Sequence, residues 1–352
     1  AGGLGLGTAQ HLAEKYRIEE AQVKEMQANV CAVADGEGLC YNLDDTLSGN
    51  TFDAHRVLLY AASPAFAASG ITYSQAAAAA AEIIANKGGL ASLKAADVEF
   101  YKNNLSTEIL WSSTIVANGS SMEKTNFPPS LFGQGQTNPT QELVETFPMK
   151  DGTPFSNSAN STVNQYVNRD PRLGKYIVYN DLTFGGAPIK MADLAENINA
   201  PNRNIYSTRS SYYLKKFMIE TVKADPGKPT VGANHFYTYA RFTEALLNFA
   251  EAANEAQGPD AVVNGYTARA VVNAIRTRAG ITSTAYINGL DKDGLRTAIK
   301  NERRIELCFE GHRFWDIRRW NQKVNMQSNV SGVNIAADNV STSVFVLQKQ
   351  NY

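Results

Sequence analysis

Three glutamates, Glu302, Glu306 and Glu310, recur at a spacing of four in the segment IKNERRIELCFEGHRFWDIRRW, residues 299–320. On a helix that spacing stacks them along one face, where like charges repel by a few tenths of a kcal/mol per pair. Such a stripe persists only in solvent or beside cations. Arg303 and Arg313 lie close in sequence, and Arg241, Arg276 and Arg278 fall on segments expected to pack alongside. The pattern reads as an Arg/Glu network tying helices together, in preference to a paired-carboxylate acid/base site or a metal site. Gly311 permits a close backbone approach or a break between helices. His312 has no second histidine at ligand spacing and reads as a polar surface or capping residue. The motifs GxSxG, HExxH and GxxxxGK[ST] are absent from the sequence. GGLGLG at 2–7 follows no strand and is not a dinucleotide fingerprint. DGEGLCYNLDD is rich in oxygen donors but does not match EF-hand spacing. No cofactor and no metal is expected.

A second chemistry is suggested by rings. The chain has 16 Tyr, 15 Phe and 3 Trp. Stacking on sugar faces needs exposed rings with amides and hydroxyls nearby. Rings at helical spacing belong to a core; rings in polar loops are the candidates for binding. These are Trp111, Phe127, Phe132, Tyr179, Phe184 and Tyr206, with Asn138 among the amides at 118, 126, 134, 136 and 138. Trp315 and Trp320 read as packing residues.

The elements that must position these groups are mainly helical. Helices are expected at 8–33, 52–68 and 74–86, the last capped by Ser74. Alanine dominates 74–86, which suits close helix packing. Helices are expected again at 237–256, 259–279 and 291–310, with a short one through Trp320; Gly280 is a natural C-terminal cap. Between them, residues 107–116, 172–182 and 205–222 read as strands. Residues 117–140 form a long loop of the sort that often carries function. The fold class is mainly α, with tetratricopeptide-like helical pairs (8–103 and 236–320) and a loop-rich half carrying short strands (104–235), all in one domain, 1–352.

Bulk properties restrict the function. A net charge of -1 argues against nucleic acid. No run of about 18 apolar residues is present. Cys31 and Cys40 flank AVADGEGL as either a short-loop disulfide or two free thiols. Cys308 lies among apolar residues and reads as an inert core thiol.

The 299–320 segment resembles the C-terminal signature of the SusD/RagB family, carried by Glu302, Arg303, Glu306, Leu307, Glu310, Gly311, Arg313, Asp316, Arg319 and Trp320. RVLLYAASPAF (56–66), QELVETFPMKDGTPF (141–155), DPRL (170–173), YYLKKF (212–217), RFTEALLNFAEAANEAQGP (241–259) and NAIRTRAG (273–280) are similar to further family segments, in the family's order. The family's closing PIP-like strand and NPG-type turn are not recognisable in SVFVLQKQNY. No lipidated cysteine opens the sequence, so an anchor is implied by the resemblance alone. The resemblance implies a non-catalytic lipoprotein on the outer membrane, at the cell surface. Such a protein captures oligosaccharide, or in some branches peptide, for a SusC-like TonB-dependent barrel transporter. An intracellular tetratricopeptide scaffold and a glycoside hydrolase are the competing classes.

Overall fold

The computed structural model describes Glu19, residues 21–25 and Ala28, then residues 72–156, 160–322 and 330–347. The chain divides into two compact units, Ala1–Ser69 and Gly70–Tyr352. In the first, residues 21–25 are helical. Cys31, Cys40, the DGEG stretch and most of the helices expected at 8–33 and 52–68 lie outside the described residues.

The second unit begins with helix α1 (Tyr73–Asn86). Its cap is Thr72, not Ser74, because Gln75 completes a reciprocal capping box. The Thr72 hydroxyl accepts from the Gln75 amide at 3.3 Å, and the Gln75 side chain accepts from the Thr72 amide at 2.8 Å. Ala77, Ala80, Ala81 and Ile84 form the buried stripe, which packs along α2 (Phe242–Gln257). The alanine run therefore sets close helix packing.

Helix α2 buries Phe242, Leu246, Phe249, Ala250 and Ala253 on one face. It starts five residues later than its periodicity suggests, because residues 238–241 pair as a strand. Helix α3 (Ala268–Ala279) starts at the cap Thr267, nine residues later than expected. Pro259 and Gly265 interrupt the intervening loop, closed by a Val263–Tyr266 bridge. Gly280 ends α3 at φ 100°, and a Cβ there would lie 3.0 Å from Pro171. Helix α4 (Lys292–Glu306) is capped by Asp291, whose carboxylate accepts from Gly294. Gly311, at φ 82° with open space around its Cα, breaks the chain before α5 (His312–Arg319). Helices α1, α2, α3 and α4 enclose one core that includes Ile84, Leu246, Phe249, Val272, Leu295 and Ile299.

The loop-rich half contains short antiparallel pairs. Strand β1 (Ile109–Ser112) pairs with β4 (Thr238–Arg241), and β2 (Val116–Gly119) with β3 (Ala233–His235). Other pairs join 177–178 to 213–214, 183–184 to 187–188, and 331–335 to 342–346, the last extended by 160–161. The strand expected at 172–182 is mostly something else: Leu173–Tyr176 is one helical turn, closed by an amide from Tyr176 to Arg172. Of 205–222 only Tyr213–Leu214 is strand. The rest is turns held by side chains, with the Thr208 hydroxyl donating to the Tyr212 carbonyl. These short elements surround a second core of Phe147, Tyr176, Val178, Tyr212, Tyr213 and Cys308. Helix α4 supplies Leu295 and Ile299 to the first core and Ile305 to the second. Its Glu302 and Glu306 are thereby buried at the junction of the two, and Glu310 follows in the turn past the helix end, which comes four residues earlier than the expected 310.

Candidate functional site

Glu302 and Glu306 are 1% and 0% exposed, so the stripe is a buried charge cluster. Glu306 accepts from Arg172 at 2.8 Å, from Arg241 at 3.1 Å, and from Arg278. Glu302 meets Arg172 and, at 3.6 Å, Arg276. Glu310 accepts from Arg241 at 2.7 Å and Lys216 at 2.5 Å. Glu108 joins Arg241 and Arg278, and Asp170 joins Arg172. These five carboxylates and five cations come from segments far apart in sequence. Burial pushes the Glu306 carboxyl up, but Arg278, Arg241 and Arg172 outweigh it and hold it well below the usual carboxylate range. Glu310 is likewise held low, with Arg241 and Lys216 overcoming burial.

A second cluster links α4 to α5 and α2: Arg303 chelates Asp316, and Arg319 binds both Asp316 and Glu251. The Trp320 indole donates to Glu251 at 2.7 Å. Arg313 is exposed and joins neither cluster. His312 is buried rather than on the surface, 3.8 Å from Glu244. Burial raises the Cys308 thiol to about 12, so it stays a protonated core thiol.

The loop rings divide. Phe127 and Phe184 are 4% and 0% exposed and pack edge to face at 5.2 Å. They belong to the core and cannot stack on a ligand, contrary to expectation; Leu131 covers the turn at Gly185 beside them. Tyr179 is half-buried, stacked on Tyr166 at 4.3 Å. Asn138 is a structural pin: its amide donates to the Gly135 carbonyl and its oxygen accepts from the Arg209 amide, both at 2.8 Å. Asn126 is also internal, donating to the Met122 carbonyl. Phe132 and Tyr206 are exposed. They stand on two loops knitted together by Ser130–Asn199 and Ser210–Pro139 hydrogen bonds.

Trp111 is the most exposed of the expected rings, at 61%. The β1–β4 register slips on both sides of it, pairing Ile109 with Arg241, Trp111 with Ala240 and Ser112 with Thr238. Such bulges re-aim side chains, and here Leu110 and Trp111 both face solvent. Trp111 lies 4.6 Å from Tyr239, and Tyr239 lies 5.1 Å from Tyr237, centroid to centroid. Tyr237 is 55% exposed and Tyr239 is 36% exposed. The three rings form a faceted, solvent-facing shelf. Ser113 fixes its edge, with its hydroxyl accepting from the Tyr237 amide at 2.9 Å. Burial and the Glu310 charge raise the Tyr237 hydroxyl, which stays an O–H donor at neutral pH. Tyr237 and Tyr239 were missed by the helical assignment of 237–241. Their Tyr-x-Tyr alternation, which places both on one strand face, was the available signal.

Comparison with known proteins places this architecture. The SusD family model matches residues 107–349, more than half of the chain. The SusD-like protein P25 of Formosa agariphila is 40% identical over 81 residues, which are 23% of this chain and 14% of that protein. P38 of the same organism is 33% identical over 99 residues, 26% of this chain and 18% of that protein. A SusD-like protein of Bacteroides fragilis superposes with a TM-score of 0.58 at 24% identity, covering 74% of this chain and 52% of its own. A SusD-like carbohydrate binding protein of the same organism gives 0.53 at 25%, covering 68% and 47%. The matches thus span about half the length of the solved relatives and less of the curated ones.

Proposed function

The chain belongs to the SusD family, and on that premise we propose that it captures an oligosaccharide on the Trp111–Tyr237–Tyr239 shelf and releases it chemically unchanged. The observation that carries this reading is the shelf itself. Three exposed rings, with Trp111 and Tyr237 each packed against Tyr239, offer apolar faces of the size of a pyranose, beside the Tyr237 hydroxyl and the Trp111 indole N–H. Aromatic side chains combine large contact area with a polar handle. The carbohydrate binding protein of B. fragilis with which the chain shares its fold supports the same ligand class.

Capture without chemistry is supported by the place of the carboxylates. Glu302, Glu306 and Glu310 are locked in ion pairs with Arg172, Arg241 and Lys216. The recipient is a SusC-like TonB-dependent transporter of the outer membrane, with the protein held at the cell surface by a lipid anchor. Among the described residues no helix is long and apolar enough to cross a membrane.

Calorimetry against a panel of neutral oligosaccharides tests the reading. Trp111→Ala and Tyr239→Ala should each weaken the best ligand at least tenfold, as about 1.4 kcal/mol per lost ring contact requires. Phe132→Ala and Tyr206→Ala report whether the knitted loops share the ligand. Wild-type affinity for Trp111→Ala, or new reducing ends during the titration, would refute capture on this shelf.

A further inference from the structure

A cleft of about 470 Å³ runs along the outer face of α4, walled by Phe155, Tyr286 and the 142–155 segment. It continues into a second hollow of about 280 Å³, and the two share Thr297, Asn301 and Arg304. The cavity volumes suit a small ligand. The second hollow is lined by Arg296, Lys300, Arg304 and Arg313, with no carboxylate among its lining residues. Arg296 is neutralised by Glu255 and Asp293. Lys300 lies 5.0 Å over the Trp320 ring and makes no ion pair among the described residues. Arg304 is half-buried and Arg313 exposed, and neither makes an ion pair or hydrogen bond among the described residues, whereas the buried Arg172, Arg241, Arg278 and Arg169 are bound to carboxylates or carbonyls.

Two guanidiniums sharing a hollow repel each other. Burial, then the charge of Arg313, holds the Arg304 guanidinium below its ordinary value against the opposing charges of Glu142 and Glu145; burial does the same at Arg313 against Asp316. An anion between them would offset that repulsion, since a guanidinium fork fits two oxygens of one anionic group.

We propose that Lys300, Arg304 and Arg313 form an anion-binding subsite for a carboxylate or sulfate group on an oligosaccharide that lies along the α4 cleft. The other end of the cleft favours a saccharide over an acidic peptide. Glu142 and Glu145 line it beside the two rings, so a uniformly acidic chain is repelled there. A sugar with one charged substituent and neutral neighbours fits both ends. The subsite is separate from the aromatic shelf.

The test is calorimetry on the full chain with trigalacturonate as the carboxylate probe, a sulfated galactose tetrasaccharide as the sulfate probe, and hexaglutamate. Wild type should bind at least one saccharide probe, more weakly as salt rises, and the probe that binds identifies the group. Arg304→Gln/Arg313→Gln should lose at least tenfold. Arg304→Lys/Arg313→Lys, which keeps charge but not the fork, should lose less. Neither pair should melt below wild type, because no protein bond is removed. Trp111→Ala/Tyr239→Ala should leave these affinities unchanged, which separates this subsite from the shelf. The proposal is overturned if wild type binds neither saccharide, if Arg304→Gln/Arg313→Gln binds as wild type does, or if hexaglutamate binds more tightly than both saccharides. That last result would make the hollow a protein contact.

Discussion

Glu306→Gln is a nearly isosteric change that deletes one charge at the centre of the buried cluster. Glu306 is fully buried and serves three guanidiniums, from Arg172, Arg241 and Arg278. Glutamine retains one acceptor and adds an N–H pair that points at cations. The remaining Asp170, Glu108, Glu302 and Glu310 then face five cations, leaving one buried positive charge uncompensated. Breaking a buried pair in this way costs about 3–5 kcal/mol, against a typical total of about 5–15 kcal/mol. With a urea m-value of about 3 kcal/mol per molar, the midpoint should fall by about 1–1.7 M, read by far-ultraviolet dichroism and tryptophan emission. Adding Arg278→Met removes the orphaned charge, so the double variant should lose less than the sum of the single losses. Acid supplies a second readout. The folded pKa of Glu306 lies below the ordinary 4.5, so its stabilisation is complete above about pH 4.5 and is lost as pH falls towards the folded value. The variant should show a shallower acid limb than wild type. A midpoint unchanged within about 0.3 M, with an unchanged acid limb, would refute the view that this cluster joins the two cores.

Two further perturbations probe other parts of the fold. Burial raises the Glu244 carboxyl to about 7 despite the nearby Arg303 charge, with His312 3.8 Å away. Since the folded pKa is raised, native stability should decline as pH rises from about 4.5 through 7. Glu244→Gln should flatten that decline and add about 2–3 kcal/mol at pH 8; a variant less stable than wild type at pH 8 would show the charge to be needed. Phe184→Ala should cost about 3–5 kcal/mol by emptying a core position. Its oligosaccharide affinity, measured where it is folded, should be unchanged, and a selective loss of binding would return Phe184 to the site.

The separate family-like segments converge on one object. DPRL supplies Asp170 and Arg172, YYLKKF supplies Lys216, RFTEALL opens with Arg241, NAIRTRAG carries Arg276 and Arg278, and the 299–320 signature carries the glutamates. Conserving charge balance in a buried cluster requires all of these segments together, since removing one partner strands the others. That gives a physical reason for their sharing one chain, independent of any ligand.

Local chemistry was sufficient for several features. Like charges four residues apart demanded cations, and the candidates Arg241, Arg276 and Arg278 are among the partners, with Arg172 and Lys216 beside them and Arg303 turned instead to Asp316. Alanine at 76–81 signalled close packing, and Gly280 ended α3 where an αL residue was needed. Other features depended on partners remote in sequence. Tyr237 and Tyr239 precede an unbroken helical pattern, and only pairing of 238–241 with residues 109–112, with Tyr237 held to Ser113 just before the strand, turns both rings outward. Phe127 and Phe184 sit in polar loops as Phe132 does, but their contact with each other, 57 residues apart, buries them. Arg303 and Arg304 are adjacent and chemically identical. A rotation of about 100° along α4 turns Arg303 onto Asp316 in the interior and Arg304 into an open cleft. Sequence can show that the two arginines face different ways; which of them faces Asp316 is decided by the packing of α4 between its two cores.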